Sequence, residues 1–468
     1  MPLDLRLDRE ELPLFVDLYE LTMAASYFAI GFNQPATFSL SVRRLPASRG
    51  FLVAAGLERL LEVIEDFGFA PAALDYLDSL GLFKPEFLHF LGTMRFSGDV
   101  RAMAEGTIFF ANEPILEVTA PLIEAQLFET LAINQIGVAS LIASKAARST
   151  IAARGRRLVD FGMRRSHGAD AALVAARSSY LAGFIGTSNV LAGRRYGVPL
   201  YGTMAHSYVM AHESERAAFD HYVALFPQLS TLLVDTYDTL RGVENAAQVA
   251  IALGRQGFKL QAVRLDSGNL AELALGARRI LDRNGLHDVA IFASGNLDEY
   301  RIEELVRSGA PIDAFGVGTE MAVSGDAPAL DIAYKLVEYA HTPRIKTSAN
   351  KVTLPGRKQV YRALNAGGGF YADLIALADE AEAVVAREFK PAPAGAIGLL
   401  QKVVSGGSRV GARPTLGESR DRLGEALGKL EGRYKDLTQP QAYPVRLSTA
   451  LNALAMNERV RAEKRQSI

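Results

Sequence analysis

Apolar residues recur at helical spacing through residues 13–30 (PLFVDLYELTMAASYFAI), and residues 57–92 continue as two or three short amphipathic helices separated by Gly and Pro. Over 97–120 the pattern changes to β-branched and aromatic residues between Gly and Pro punctuation, which predicts short antiparallel strands. From about residue 157 short apolar strands recur, each closing in a polar or Gly-rich cluster and each followed by a helical stretch. They are RLVDFGMRR, AGFIGTSNV, VPLYGTMAH, TLLVDTYDT, AVRLDSGNL, AIFASGNLD and DAFGVGTEM. Markers at their ends, Asp160, Gly186, Gly202, Asp235, Asp266, Ser294 and Gly316, are mostly spaced as successive βα units would be. Alternating strands and helices imply a parallel sheet, and seven units in a row predict an irregular (β/α) barrel.

Beyond residue 340, RIKTSANKVTLPGRKQVYRALN predicts a hairpin about its Pro-Gly turn. Residues 390–415 are rich in Pro, Ala and Gly, and two amphipathic helices are expected over 418–437 and 447–464. The expected division is a flanking α+β domain over 1–130, the barrel over 131–340, and a C-terminal segment, 341–468, that rejoins the flanking domain and adds terminal helices.

Composition narrows the chemistry. The 468 residues, 49% hydrophobic and 22% charged, describe an ordered chain large enough for a barrel with a flanking domain. Lys plus Arg (51) nearly cancel Asp plus Glu (52), so no overall field favours nucleic acid or an anionic membrane, and anion affinity must be local. The absence of cysteine excludes disulfides, thiolate zinc sites and cysteine nucleophiles, and is compatible with a reducing cytoplasm. The N-terminal stretch carries acids and no apolar core of a secretory signal, and no uninterrupted apolar run reaches the roughly 18 residues that span a bilayer. A cytoplasmic soluble protein is the expectation.

In a barrel the polar clusters after the strands converge on one face, where active sites assemble. Arg164 and Arg165 in DFGMRRSHG offer an arginine fork to a carboxylate or phosphate, with a salt bridge to a neighbouring helix as the structural alternative. Phe161 offers a ring to a flat heteroaromatic ligand, or is core. GTSNV (186–190), SGNL (294–297) and FGVGT (315–319) place Gly and hydroxyl residues where helices begin, as anion sites do and as ordinary N-caps do. Asp235 and Asp238 in VDTYDT and Asp266 in RLDSGN suit magnesium or ribose hydroxyls, with capping of the next helix as the structural alternative for Asp235 and Asp266. Arg264 shares a strand face with Asp266. His206 in GTMAHSYVMAHESE can serve as a nucleophile toward phosphate or as a base; His212 and Glu213 lie nearby, but their spacing is not that of a zinc protease. No strand ends in a lysine, which disfavours a Schiff-base aldolase. A non-catalytic phosphate-ligand barrel would keep the glycine loops and the arginines without needing His206 or the acids.

Taken together and in order, DFGMRR, GTSN, GTMAH, DTYDT, RLDSGN and ASGN followed by FGVGT resemble the nicotinate phosphoribosyltransferases, from PLFVDLYELTMA to KVTLPGRKQVYR. The resemblance implies a type II phosphoribosyltransferase fold and a homodimer with active sites near its interface. It implies that nicotinate and phosphoribosyl pyrophosphate (PRPP) become nicotinate mononucleotide in NAD biosynthesis, with ATP hydrolysis coupled through a phosphohistidine and with Mg²⁺. His206 matches that histidine, and Arg264 and Asp266 stand beside it as catalytic. Arg164 matches the arginine at the pyridine ring, Phe161 one stacking ring, and Tyr19 the aromatic supplied by the other subunit. Arg165, Thr187, Asp235, Ser267, Gly268, Ser294, Gly295, Asn296, Gly316, Gly318 and Thr319 fall at PRPP or phosphate positions. Nicotinamide-using relatives carry an aspartate where this chain has Ser188, so Ser188 implies nicotinate. Some relatives end in a cysteine-rich zinc segment, which this cysteine-free chain cannot form.

Overall fold

The computed structural model describes residues 10–347 and 353–466. The chain divides into two compact units, Ile142–Pro328 and the pair of segments Met1–Leu141 and Ala329–Ile468.

The unit Ile142–Pro328 contains a six-stranded parallel sheet whose strands we number β1 (Arg157–Asp160), β2 (Gly186–Thr187), β3 (Thr231–Leu233), β4 (Ala262–Leu265), β5 (Ala290–Ala293) and β6 (Ala314–Val317). Their order is β2-β1-β6-β5-β4-β3. The last strand therefore pairs with the first, Ala314 opposite Arg157 and Val317 opposite Asp160, as a closing barrel requires. The third of the seven expected strands is not formed. In VPLYGTMAH only Leu200 makes a parallel bridge, to Thr187, before the chain turns into the helix His206–Met210. Pro199 has no N–H to donate, and Gly202 breaks the extended run three residues later. The sheet is thus a half-barrel, open among the described residues between Leu200 and Thr231. Val159, Ala262, Phe292 and Ala314 pack inside the curl with Phe161 against them. The end of the long helix Glu129–Ala153 is anchored in this unit by Arg148 on Glu299 at 2.8 Å and Lys145 on Asp326 at 2.8 Å.

The second unit holds helices Leu18–Ala29, Leu57–Glu65, Pro71–Ser79 and Pro85–Thr93 against a seven-stranded sheet built on Pro35–Val42, Pro114–Pro121 and Asp99–Met103. These strands are antiparallel, as the 97–120 pattern predicts. The returning segment adds Ile332–Tyr339 to one edge and Leu400–Ser405 to the other. The second of these lies within the stretch read only as rich in Pro, Ala and Gly. The expected hairpin is displaced: Lys358–Leu364 pairs with Phe370–Leu377, and the turn is Asn365–Gly369, not Pro355-Gly356. Asn365 accepts the N–H groups of Gly367 (3.0 Å) and Gly369 (2.9 Å), and Gly368 adopts φ 78°, so the side chain builds a turn the Pro-Gly pair does not. Residues 348–352 of that expected hairpin lie outside the described residues. The terminal helices are Leu416–Lys429, shorter than expected, and Thr449–Gln466.

The tract Leu122–Ala153 is long and apolar enough to cross a membrane by length and composition, although no unbroken apolar run suggests it. Of that window 78% is buried inside the protein, which makes it a core helix by packing.

Candidate active site

Helix capping separates the polar residues after the strands into two groups. The helix Thr239–Gly254 is capped by Asp238, whose Oδ1 accepts the Arg241 N–H at 2.8 Å. Asn189 caps Val190–Tyr196 and Asp298 caps Glu299–Arg307 in the same way. Asp235, Asp266, Ser188 and Ser294 are therefore free of the capping duty that would explain them without a ligand. Asp235, Asp266 and Ser294 are held instead by one another and by Arg264.

The Arg264 guanidinium organises the centre. Its Nη2 donates to Asp266 Oδ1 (2.7 Å), its Nε to Ser294 Oγ (2.8 Å) and its Nη1 to Thr203 Oγ1 (3.0 Å), while the whole group lies 5.3 Å from the centre of the Phe161 ring. Ser294 Oγ donates in turn to Asp266 Oδ1 at 2.5 Å. Burial alone would raise the Asp266 carboxyl, but Ser294, Arg264 and His206 together outweigh it and hold that carboxyl below its ordinary range. Asp266 is thus an anion at neutral pH. His206 stands over it with Nε2 3.8 Å from Asp266 Oδ2 and Nδ1 3.1 Å from Thr236 Oγ1. Its side chain is 42% exposed, so a ligand can reach the ring. Asp235 is nearly buried. Its Oδ2 accepts Ser267 Oγ (2.5 Å) and the Asp266 N–H (3.1 Å), and its Oδ1 has no hydrogen-bond partner.

The glycines shape this floor. A Cβ on Gly295, which has φ 95°, would lie 1.9 Å from the Asp266 carbonyl oxygen, and one on Gly316 would lie 2.7 Å from the Phe161 ring. Both positions exist to let a site residue approach. Gly268 (φ 79°) and Asn296 (φ 48°) turn their loops through the left-handed region. Gly318 precedes the short helix that begins at Thr319.

At the ends of the first two strands the picture is more open. Arg164 and Arg165 sit on an exposed turn, Met163–Arg165, and neither guanidinium has a hydrogen bond or ion pair among the described residues. Among the described residues, the salt bridge that would account for them structurally is absent. Ser188 is half-buried, its N–H on the Asp160 carbonyl (2.9 Å) and its hydroxyl without a partner among the described residues. Thr187 is different: its hydroxyl donates to Asp160 Oδ2 (2.6 Å) and accepts the Asn189 N–H (3.0 Å), so it is spent on holding the loop. Burial pushes the Asp160 carboxyl up, against the pull of Thr187 and the Gly162 N–H. Beneath these groups a cavity of about 80 Å³ lies inside the curl, between Phe161, Phe292 and Tyr201. His212 turns away, with Nδ1 2.8 Å from the Tyr208 carbonyl oxygen. Tyr19 belongs to the other unit, at the start of helix Leu18–Ala29, and is 47% exposed.

The sequence matches the nicotinate phosphoribosyltransferase (NAPRTase) N-terminal domain over residues 14–137, the NAPRTase family over 156–356 and the nicotinate phosphoribosyltransferase C-terminal domain over 357–455. The chain belongs to the nicotinate phosphoribosyltransferase family. It is 54% identical over 354 residues, 76% of each chain, to a nicotinate phosphoribosyltransferase of Mycobacterium tuberculosis. It is 39% identical to that of Bacillus subtilis over 94% of this chain and 93% of the relative. The crystal structure of human nicotinic acid phosphoribosyltransferase superposes with a TM-score of 0.82 at 31% identity, covering 94% of this chain and 99% of that one. The candidate site also includes residues that the sequence alone did not single out. Thr203 holds Arg264, Thr236 holds His206 and Phe292 tilts against Phe161 at 5.6 Å. The two threonines stand inside motifs quoted above, GTMAH and VDTYDT; the signal was a hydroxyl beside each site residue.

Proposed function

We propose that the half-barrel binds nicotinate and PRPP together and joins them. The C1–O bond to pyrophosphate breaks, the pyrophosphate leaves with the electron pair, and the pyridine nitrogen forms the new bond to C1. The observation that carries this reading is the pair of unpartnered guanidiniums, Arg164 and Arg165, beside the uncharged Ser188 and a few residues beyond Phe161. A carboxylate on a flat ring meets a cation, a stacking face and no opposing acid there. Arg264, Asp266, Ser294, Gly295 and Asn296 would take the ribose and phosphates, with Arg165, Ser267, Gly268, Gly318 and Thr319 at the phosphate edges, and Gly316 leaving room for Phe161. Because Arg264 lies over the Phe161 ring, the base and the sugar phosphate would be positioned by one rigid set of contacts.

His206 is proposed to be phosphorylated. With its proton on Nδ1 and donated to Thr236, the ring presents the Nε2 lone pair to the γ-phosphorus of ATP; the P–N bond forms as ADP leaves. Asp235, whose buried Oδ1 lacks a partner, and Asp266 suit Mg²⁺, with substrate oxygens and water completing its shell. Among the described residues no group of three or more His, Asp or Glu side chains is arranged so that it could hold a metal ion by itself. When bound, the ion would neutralise the pyrophosphate as it departs. The protein is proposed to act in the cytoplasm, in keeping with its cysteine-free sequence.

Two outcomes test this. Arg164→Ala should raise the KM for nicotinate by roughly 10- to 150-fold, since a charge-assisted contact of about 1.5–3 kcal/mol disappears. Steady-state kinetics with saturating PRPP measure it, and an unchanged KM would return Arg164 to the surface. The protein is also proposed to be a homodimer in which Tyr19 of each subunit reaches the partner's base site. Mixing Tyr19→Ala with His206→Ala chains, each impaired alone, should then restore part of the ATP-stimulated activity once subunits exchange. No recovery despite proven exchange would confine each site to one chain.

A further inference from the structure

Next to Tyr19 stands a carboxyl that none of the chemistry above uses. Glu20 is fully buried at the start of helix Leu18–Ala29. Its Oε1 accepts the Thr130 N–H at 3.2 Å and lies 2.5 Å from Thr130 Oγ1; that same hydroxyl oxygen is 2.6 Å from Asp17 Oδ2. A threonine hydroxyl has one proton to donate. It can satisfy one of the two carboxylates, and the other contact, equally short, then sets oxygen against oxygen unless a second proton is present. Asp17 is exposed and can rely on water, whereas Glu20 Oε2 is buried with no partner, so Glu20 is the group that gains by staying neutral.

The groups around Glu20 agree. Tyr19 lies on its own helix and Asp17 just before it, Glu129 on the long helix, and Tyr334 and Lys335 on the strand Ile332–Tyr339. The one cation among these, Lys335, is bound to Glu129 at 2.8 Å, and Tyr334 donates to the Ala125 carbonyl at 2.7 Å. Burial, reinforced by Glu129 and Asp17 and opposed by Thr130, pushes the Glu20 carboxyl up to about 7. Burial and the carboxylates of Glu129, Glu20 and Asp17 likewise hold the Tyr19 phenol well above its ordinary value, so Tyr19 stays a neutral ring.

We propose that Glu20 is a positioning residue for the phosphoribosyl acceptor: the proton it shares with Thr130 pins the first turn of the helix that carries Tyr19, and loss of that proton releases Tyr19 from the geometry that receives the base. The chain Glu20–Thr130–Asp17 ties this turn to the start of the long helix. Deprotonation puts a third negative charge beside Asp17 and Glu129 and leaves Thr130 with one proton for two anions. The proposal rests on the reading of Tyr19 as a ring against the pyridine.

The test is the pH dependence of the nicotinate KM at saturating PRPP, between pH 6 and 8.5, where the nicotinate carboxylate is already ionised. In the unmodified enzyme KM should be flat below about 7 and then rise by about tenfold per pH unit, because only the fraction holding the proton binds the base. Glu20→Gln donates to Thr130 at every pH and should keep KM flat. Thermal unfolding reads the proton independently of Tyr19. The folded carboxyl holds a proton up to about pH 7 that the unfolded chain gives up near 4.5. The unmodified protein should therefore lose Tm relative to Glu20→Gln as pH rises across that window, and the gap should stay constant above it. A KM profile of the unmodified enzyme with no break near pH 7 overturns the proposal, whatever the fate of the variant, and so do superimposable Tm curves. If the Tm curves diverge but Tyr19→Ala leaves the nicotinate KM unchanged, the reading of Tyr19 has failed and the shared proton has not.

Discussion

His206→Asn should fold normally, hydrolyse no ATP and show no stimulation of nucleotide synthesis by ATP. Asparagine keeps a donor and an acceptor at similar bulk, so the contact to Thr236 and the approach to Asp266 survive, but it has no lone pair able to take a phosphoryl group. Transfer itself should persist at a low rate, since positioning and charge stabilisation come from Arg264, Asp266 and the glycine loops. Phosphorylation would add charge and acceptor oxygens 3.8 Å from an ionised Asp266, next to an arginine and a candidate cation site, which gives ATP a physical route to the PRPP contacts. Rapid quench with γ-labelled ATP should find the label on the unmodified protein, acid-labile and base-stable, and none on the variant. Full ATP-stimulated synthesis by His206→Asn would return this histidine to the role of a loop residue.

The second large effect is expected at Arg264. Its three nitrogens serve Asp266, Ser294 and Thr203 at once while its plane covers Phe161. Lysine keeps the charge but is a point donor on a flexible stem, and cannot hold that fork. Arg264→Lys should lose at least two charge-assisted contacts of about 1.5–3 kcal/mol each, lowering kcat/KM by roughly 100-fold or more. Because Asp266 would lose the hydrogen bond from the Arg264 fork, its carboxyl should titrate at higher pH in the variant, and the acid limb of the pH–rate profile should move upward with it. A variant with near-normal kcat/KM and an unmoved acid limb would show that the fork is structural.

Most of the barrel was legible because its strands are short, apolar and closed by turn residues, and six of the seven expected strands form. The third failed at Pro199 and Gly202, residues that could have warned against it. The strand Pro35–Val42 escaped notice because both its faces are covered. Thr37 and Ser39 are buried along with the apolar positions, and Thr37 meets Thr119 hydroxyl to hydroxyl at 2.9 Å, so no alternation marks it. The long helix Glu129–Ala153 was hidden for a related reason, since burial on most sides leaves no polar stripe to reveal its period. In the site, residue types and their strand-end positions were readable, but their mutual contacts were not. Arg264 meets Thr203 and His206 meets Thr236 across loops that become neighbours only when the sheet curls. In VDTYDT the sequence offers Asp235 as the alternative cap of the next helix, but Asp238 takes that place, leaving Asp235 with an unpartnered oxygen.

The central claim, that this half-barrel joins a pyridine carboxylate to PRPP, is tested most directly by measuring PRPP-dependent mononucleotide formation from nicotinate, nicotinamide and quinolinate in parallel, each with and without ATP. Arg164 free to bind a carboxylate and Ser188 in place of an acid predict strong preference for nicotinate, with synthesis raised by ATP. Equal turnover of nicotinate and nicotinamide, or product from quinolinate alone, would contradict it.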